Sequence, residues 1–216
     1  MIQKMLRTIT AKNHLNAITI GEYAKMKVGV MNFQIWAFHA EGLGHVSAMT
    51  ATGMFGLMKM DTLIITPTAV DLPLLSYDRV NAMGNDTLIY ELYDTLVGEA
   101  DLSGPEAVKA RASGLPDHDL GSHWYDAIKL PVSLAKKGKK AHSAAFDETA
   151  LSYLEAFLAA GKTAPHCEAA PKLEKAGVYV EGLLTHGGPS TDVFKKGIGD
   201  EKTGKLFRTV LFGTKK

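Results

Sequence analysis

The sequence predicts an α+β fold, a three-layer α/β/α sandwich in which helices cover a central antiparallel sheet. Short runs rich in β-branched and aromatic residues fill much of the first half of the chain, whereas helical periodicity dominates the second half. The chain has 216 residues, of which 46% are hydrophobic and 22% charged, so it can bury a substantial core. We therefore expect a single domain over residues 1–216.

The predicted elements of the first half are one helix and a series of strands. Residues 4–20 show loose helical spacing that Gly21 would end, which indicates an outer helix. Turn signals rich in glycine and asparagine separate the strand-like runs and indicate antiparallel hairpins. One meandering sheet accounts for all of these runs, which cover residues 27–41, 45–60, 61–68 and 86–96.

The second half is predicted to be mainly helical. Residues 97–121 mix glycine, proline and charge, and we expect a surface connection there with one helical turn. The lysine-rich end of residues 122–140 is expected to be a solvated face or a loop. Helices are predicted from the expected N-cap Asp147 to Gly161, at residues 169–185 and at residues 190–212.

Charge and cysteine content exclude several classes of function. The 24 basic and 23 acidic residues give a formal charge of +1, which does not favour a nucleic-acid partner. Cys167 is the only cysteine, so an intrachain disulfide and a zinc site with several thiolates are excluded, and a reducing cytoplasm is expected. The N-terminus lacks a continuous apolar run and no later segment reaches the length of a membrane span, so we expect no membrane partner.

Several common catalytic and metal-binding signatures are missing or weak. The chain has no glycine-rich loop ending in Lys-Ser or Lys-Thr, no G-x-G-x-x-G between a strand and a helix, and no G-x-S-x-G elbow. Nucleotide-dependent and α/β-hydrolase chemistry are therefore disfavoured. His39, Glu41 and His45 are candidate metal ligands around one turn, but polar residues are common at hairpin tips, and we expect no metal site.

Asp78 is the candidate acid. It follows Pro73 by five positions, after a strand whose residues 63–65 have a fully apolar sequence. A carboxyl group in apolar surroundings loses hydration, which raises its pKa, so that it can hold a proton near neutrality and donate it. The residues alone leave a structural alternative open, in which Asp78 caps a turn or pairs with Arg79 or another cation.

Three segments occur in a recognisable order along the chain. LIITPTAVDLPLLSYDRV runs from a strand through a proline-containing connection to an aspartate, HWYDAIKLPVSLAKK begins near a tryptophan, and GIGDEKTGKLFRTVLFG ends in V-L-F. In order and spacing, over roughly residues 30–213, these segments resemble the ferredoxin-dependent bilin reductases and their plant relative, red chlorophyll catabolite reductase. The residues that match the family are Leu72, Pro73, Asp78, Trp124, Gly199 and Val210, Leu211 and Phe212.

The resemblance implies both a fold and a chemistry. The fold is an antiparallel sheet between helical layers, with a linear tetrapyrrole held between the sheet and the C-terminal helices. The chemistry uses no bound metal or flavin, because reduced ferredoxin supplies single electrons and a tuned carboxylic acid of the protein supplies protons. Asp78 is the residue that would act as this acid, with ferredoxin or a similar small iron–sulfur protein and a bilin-like molecule as partners.

The resemblance also implies residues that bind the substrate. Bilin propionates need cationic partners, because a carboxylate that leaves water requires charge-assisted hydrogen bonds. The candidate cations are Arg79, Lys129, Lys195, Lys196 and Arg208, and the expected substrate-binding residues are Pro73, Arg79, Trp124, His186 and Arg208. A lysine run that would attract an acidic ferredoxin comprises Lys136, Lys137, Lys139 and Lys140.

The chain departs from the family where acid–base partners are expected. Well-known bilin reductases have a histidine and a glutamate on the strands before the signature, whereas this chain has Thr50, Thr52, Thr62 and Ile64. Two alternatives therefore stay open. One is a non-catalytic tetrapyrrole-binding or carrier protein, and the other is an enzyme for an unrelated small substrate that uses Asp78, His39 and Glu41 as acid–base residues.

Overall fold

One antiparallel sheet forms the centre of the computed structural model, which describes residues 1–215. Its eight described strands are Leu15–Ala17 (β1), Lys25–Val28 (β2), Met31–Ala40 (β3), Gly44–Gly53 (β4), Met58–Pro67 (β5), Leu74–Ala82 (β6), Asn85–Tyr93 (β7) and Leu134–Lys139 (β8). Their order is β1–β3–β4–β5–β6–β7–β8, and β2 pairs with β3 on the same edge as β1. Short turns connect β3 through β7, so consecutive strands are neighbours in the sheet.

In the described part of the chain, six α-helices accompany the sheet. They are Ile2–Thr10 (α1), Ser103–Arg111 (α2), Ser143–Ala160 (α3), Ala169–His186 (α4), Pro189–Ile198 (α5) and Asp200–Lys205 (α6), and α6 continues into a π-helical segment, Leu206–Leu211. Among the described residues, no helix is both long and apolar enough to cross a membrane.

The two faces of the sheet belong to two hydrophobic clusters. Successive side chains of a strand point to opposite faces, so Leu63 and Tyr77 lie on one face and Ile64 and Leu74 on the other. The first face packs against α1, α2 and α3, and we call it the α3 face. The second packs against α4, α5 and the π-helical segment, and we call it the α4 face. Burial on both faces explains why the centre of β5 is continuously apolar.

The prediction of an α+β fold around a large antiparallel sheet is confirmed. The predicted N-terminal helix is too long, because α1 ends at Thr10 and β1 follows within residues 4–20. The predicted surface connection at residues 97–121 contains α2, a helix of nine residues rather than a single turn.

The lysine-rich end of residues 122–140 contains a strand, β8, rather than a loop, whereas the expected solvated face is confirmed for Lys137, Lys139 and Lys140, which are exposed. Lys136 points to the α3 face, is 4% exposed and donates to Asp117 Oδ1 at 2.6 Å. The predicted N-cap was wrong. The helix begins at Ser143, and Asp147 lies inside it, with its Oδ1 at 3.3 Å from Arg79 Nη2.

Candidate functional site

Asp78 lies in the middle of β6 on the α4 face. Its backbone pairs with Thr62 in β5 and with Ile89 in β7. The Thr62 hydroxyl donates a hydrogen bond to Asp78 Oδ1 at 2.5 Å. The hydrogen bond from Thr62 holds the carboxyl group in place. The aspartate is half-buried, so it stays partly accessible.

Apolar residues surround Asp78 on this face. Val80 follows it on β6, Met60 pairs with Val80 on β5, and Ile89 lies opposite Asp78 on β7. All three are only partly buried, whereas Leu74, four residues before Asp78, is fully buried. The helices of the α4 face therefore leave the sheet partly uncovered around Asp78. We call this region the open surface, defined by Met60, Asp78, Val80 and Ile89.

The surroundings of Asp78 favour its protonated form. Desolvation by burial raises the pKa of Asp78 from 3.8 to about 6, although the hydrogen bond from Thr62 lowers it and the negative charge of Glu91 raises it further. Near pH 6 the protonated and ionised forms of Asp78 therefore coexist. Asp78 can therefore act as a general acid near neutrality.

A second carboxylate, Glu91, lies beside Asp78 in the next strand. Because Asp78 pairs with Ile89, Glu91 is its diagonal neighbour on the same face, and the backbones of the two residues are about 7–8 Å apart across the two strands. The Tyr93 hydroxyl donates to Glu91 Oε2 at 2.7 Å, and Lys129 Nζ lies 3.7 Å from Glu91 Oε1. The Glu91 side chain is 12% exposed. Two carboxyl groups and one ammonium group thus share this part of the sheet.

Three tyrosines connect Glu91 to α4. The Tyr93 ring stacks on Tyr179 with centroids 4.2 Å apart and meets Tyr125 edge to face at 5.6 Å. Burial is the first cause that raises the pKa of each of these three phenols. Their hydroxyl groups therefore stay protonated and can donate hydrogen bonds at physiological pH.

The predicted residues Trp124 and His186 lie together at the outer end of this aromatic group. Their rings are 5.5 Å apart, and Trp124 is 5.3 Å from Tyr125. The indole Nε1 donates to the Gly187 carbonyl at 3.1 Å. The indole ring also lies directly over Gly182 of α4, where a Cβ atom would overlap it. The structure thus brings these two residues to the Glu91 end of the site.

Arg79 lies on the α3 face, away from Asp78. Its Nε and Nη2 donate to the two carboxylate oxygens of Asp86, both at 2.6 Å, and the guanidinium carbon is 5.1 Å from the Phe146 ring centroid. The residue is 4% exposed. Because successive residues of a strand alternate between faces, the structure places Arg79 on the face opposite the open surface, and Arg79 is not a partner of Asp78.

The remaining predicted residues are spread over the molecule. Pro73 is buried directly before β6. Arg208 lies in the π-helical segment and makes two hydrogen bonds to Glu181 of α4, at 2.6 and 2.7 Å. Of the candidate cations, Lys129 lies at the site, where its Nζ also donates to Asp126 Oδ1 at 2.7 Å. The substrate-binding roles of Pro73, Arg79, Trp124, His186 and Arg208 stay predictions.

His39, Glu41 and His45 do not meet Asp78. His39 faces His45 across β3 and β4, and His45 Nε2 is 2.8 Å from the Val210 carbonyl oxygen. The Glu41 carboxylate accepts from Asn16 at 2.9 Å. Within residues 1–215, no three His, Cys, Asp or Glu side chains are grouped to hold a metal ion. His39 is three strands and four residues from Asp78, about 20 Å, so the two cannot act on one substrate atom.

A small and a large cavity border the α4 face within the described residues. The small cavity, of about 190 Å³, has Glu91, His118, Asp119, Lys129, Ser133 and Ala135 among its lining residues. The large cavity, of about 790 Å³, lies between β3, β4 and the C-terminal helices, and its lining includes His39, His45, Leu173, Lys205 and Lys215. Pockets for organic ligands usually measure about 300–1,000 Å³. The small cavity therefore suits water, and Asp78 lines neither of the two.

Glu91 was not predicted as a site residue, although the sequence contains a signal for its position. Met83 and Gly84 form a two-residue turn that sets Ala82 opposite Asn85. Counting back from such a turn fixes the register of the hairpin. Ile89 then falls opposite Asp78, and Glu91 falls on the same face. Tyr125 and Tyr179 had no comparable signal, because packing between distant segments brings them to the site.

Comparison with known proteins supports the fold. No family model matches the chain, and no curated protein matches it. The structure is similar to the crystal structure of phytochromobilin synthase from tomato in complex with biliverdin, with a TM-score of 0.80 and 15% sequence identity. The match covers 99% of this chain and 82% of the tomato chain. The two proteins therefore share a fold.

Proposed function

We propose that the chain binds a linear tetrapyrrole on the open surface and reduces it, with Asp78 as the proton donor. Electrons come from ferredoxin or a similar small iron–sulfur protein. In this proposal residues 1–216 form a single domain, a three-layer α/β/α sandwich that holds the pigment on the α4 face of the sheet, beside the C-terminal helices. The observation that carries the proposal is a half-buried carboxylic acid with a pKa of about 6 in a partly exposed apolar surface.

The reaction accounts for every proton and electron. Saturation of one double bond of the pigment takes two electrons and two protons, and two reduced iron–sulfur proteins each give up one electron. The O–H bond of Asp78 breaks as a new bond to hydrogen forms on the reduced pigment. The carboxylate that is left accepts the Thr62 hydrogen bond. A proton from solvent then restores the acid, and a second turn of the same cycle delivers the second proton.

The open surface suits a flat conjugated molecule. Met60, Val80 and Ile89 offer apolar contacts on either side of the acid. Lys137 lies on the same face of β8, is exposed, and provides a cation for a pigment carboxylate or for an acidic electron donor. Lys139 and Lys140 are exposed nearby, whereas Lys136 is buried against Asp117 and does not contribute to docking.

A tetrapyrrole carrier without catalytic activity is the second candidate function. Thr62 lies opposite Asp78 on β5, and Ile64 is the next residue of that strand on the same face. Neither side chain titrates, so β5 supplies no acid–base partner for Asp78. A carrier needs the apolar surface but no proton donor.

Mixing the purified protein with biliverdin and then adding reduced ferredoxin separates the two functions. We expect a change in visible absorption on mixing and a second change on reduction. Binding without the second change favours the carrier, and no change on mixing contradicts both functions.

The Asp78→Asn variant tests the mechanism. It keeps the shape of the side chain but cannot donate a carboxyl proton, so we expect pigment binding to persist and turnover to fall by about 10² or more. Asp101→Asn, which replaces an exposed aspartate before α2, is the matched control and should turn over normally. Unchanged turnover of Asp78→Asn would remove Asp78 as the acid.

A further inference from the structure

Glu91 lies between Asp78 and the small cavity. It shares the α4 face with Asp78, one strand away, and it also lines the cavity together with His118, Lys129 and Ser133. Asp78 does not line that cavity. Glu91 is thus a titratable group that borders both the acid and a space large enough for several water molecules.

The two carboxylate oxygens of Glu91 have different surroundings. Oε2 accepts the hydrogen bond from Tyr93. Oε1 is buried and has no hydrogen-bond partner within residues 1–215, since Lys129 Nζ at 3.7 Å is beyond hydrogen-bond distance. A buried carboxylate oxygen without a donor is costly. One oxygen is therefore fixed by the Tyr93 hydroxyl, and the other has the Lys129 ammonium group as its charged neighbour.

We infer that Glu91 is a positioning residue that relays protons from solvent in the small cavity to Asp78 after each donation. This inference rests on the proposed function, because the reaction consumes the proton of Asp78. In the relay, the O–H bond of a protonated Glu91 breaks, the proton passes through solvent, and the O–H bond of Asp78 forms. The Glu91 carboxylate then takes a proton from solvent in the cavity, so each cycle moves one proton inward and no electrons.

Charged and titratable groups from several elements face the relay and shape its response to pH. Lys129, which is paired with Asp126, attracts a negative charge on Glu91. Burial, followed by the positive charge of Lys137, lowers the pKa of His118, so the His118 imidazole is neutral at pH 7. Within residues 1–215, the other groups that face Glu91 or line the cavity include Asp78, Tyr90, Tyr93, Asp119, Tyr125 and Tyr179.

Single-turnover and steady-state rates of Glu91→Gln test the relay. Glutamine keeps the acceptor for Tyr93 but cannot carry a proton. We expect the first protonation by Asp78 to keep its rate at a pH where Asp78 starts protonated, and steady-state turnover to fall roughly tenfold or more. A merely structural role of Glu91 would slow both rates alike, and that result would overturn the inference, as would a normal steady-state rate.

A second variant blocks the route of the proton and leaves both carboxylates in place. Ala135 lines the small cavity and pairs with Ile89. We expect Ala135→Leu to fill the cavity and to slow steady-state turnover while single-turnover protonation stays normal. Glu99→Gln, at an exposed position, is the matched control and should leave both rates unchanged. Normal steady-state turnover of a folded Ala135→Leu protein would contradict the route through this cavity.

A carbon-13 NMR titration of Asp78 needs no substrate and separates failure of the relay from failure of the proposed function. The Asp78 signal is assigned by its loss in Asp78→Asn. Because the charge of Glu91 raises the pKa of Asp78, we expect Glu91→Gln to lower the titration midpoint. If the wild-type protein reduces no tetrapyrrole, the proposed function fails. The titration still tests the electrostatic coupling between Glu91 and Asp78. An unchanged midpoint would then overturn the relay.

Discussion

Asp78 and Arg79 are neighbours in the chain, but the two faces of the sheet provide different partners for their charged groups. On the α3 face, Arg79 makes two hydrogen bonds to Asp86, and Asp147 lies 3.3 Å away. On the α4 face, Asp78 has one hydroxyl partner, and within the described chain it forms no ion pair. A buried charge held in an ion pair is part of the structure, whereas a carboxyl group left without a cation and with a raised pKa is a candidate for function.

Replacement of Arg79 should have the largest effect on stability. Arg79→Met leaves Asp86 buried without its cation, so we expect the free energy of unfolding to fall by about 3–5 kcal/mol. Urea unfolding followed by circular dichroism measures the change. The double variant Arg79→Met/Asp86→Leu removes both charges and should recover much of the loss. A loss below about 1 kcal/mol for Arg79→Met would show that the two faces do not differ in this way.

Replacement of Asp78 should have a smaller effect that depends on pH. Its folded-state pKa, about 6, lies above the ordinary 3.8, so the folded state binds the proton more tightly. Stability therefore falls as pH rises through 3.8 to 6, by up to about 3 kcal/mol. We expect Asp78→Asn to be more stable than the wild type at pH 8 and about equally stable at pH 3. Urea unfolding at both pH values checks this sign, and a difference that does not vary with pH would contradict the raised pKa.

The Tyr93→Phe variant measures how firmly Glu91 is held. It leaves Glu91 Oε2 without its donor, and we expect a loss of about 1–3 kcal/mol. Thermal unfolding gives the value, and Tyr23→Phe is the control because that hydroxyl donates to a backbone carbonyl elsewhere, that of Lys202. No loss relative to this control would show that the hydrogen bond does not position Glu91.

Replacement of Arg208 should have the smallest effect on stability. Its pair with Glu181 is partly exposed, so Arg208→Gln should cost at most about 1 kcal/mol. The same variant tests the predicted role of Arg208 in substrate binding, because loss of a cation for a pigment carboxylate would raise the Kd for biliverdin. An unchanged Kd in an absorption titration would show that Arg208 pairs with Glu181 of α4 but does not bind the pigment.

The sequence predicted the sheet better than the site, and particular residues show why. The apolar centre of β5 and the turns between the hairpins are local signals, so the antiparallel sheet followed from them. Lys136 in β8 was misread because its burial depends on Asp117, which lies on another segment. Asp78 was found through its apolar surroundings, whereas Glu91 required the register of the hairpin, and the small cavity depends on long-range packing that no local pattern records.

The position of Trp124 gives the molecule a built-in optical signal. The chain contains two tryptophans, and the other, Trp36, lies on β3 and packs at the margin of the cluster on the α3 face. Trp124 is 38% exposed beside Tyr125 and His186. A visible pigment seated on the α4 face would quench the emission of Trp124 by energy transfer, more strongly than that of the indole behind the sheet. Fluorescence of the unlabelled protein can therefore tell which side of the sheet a chromophore occupies.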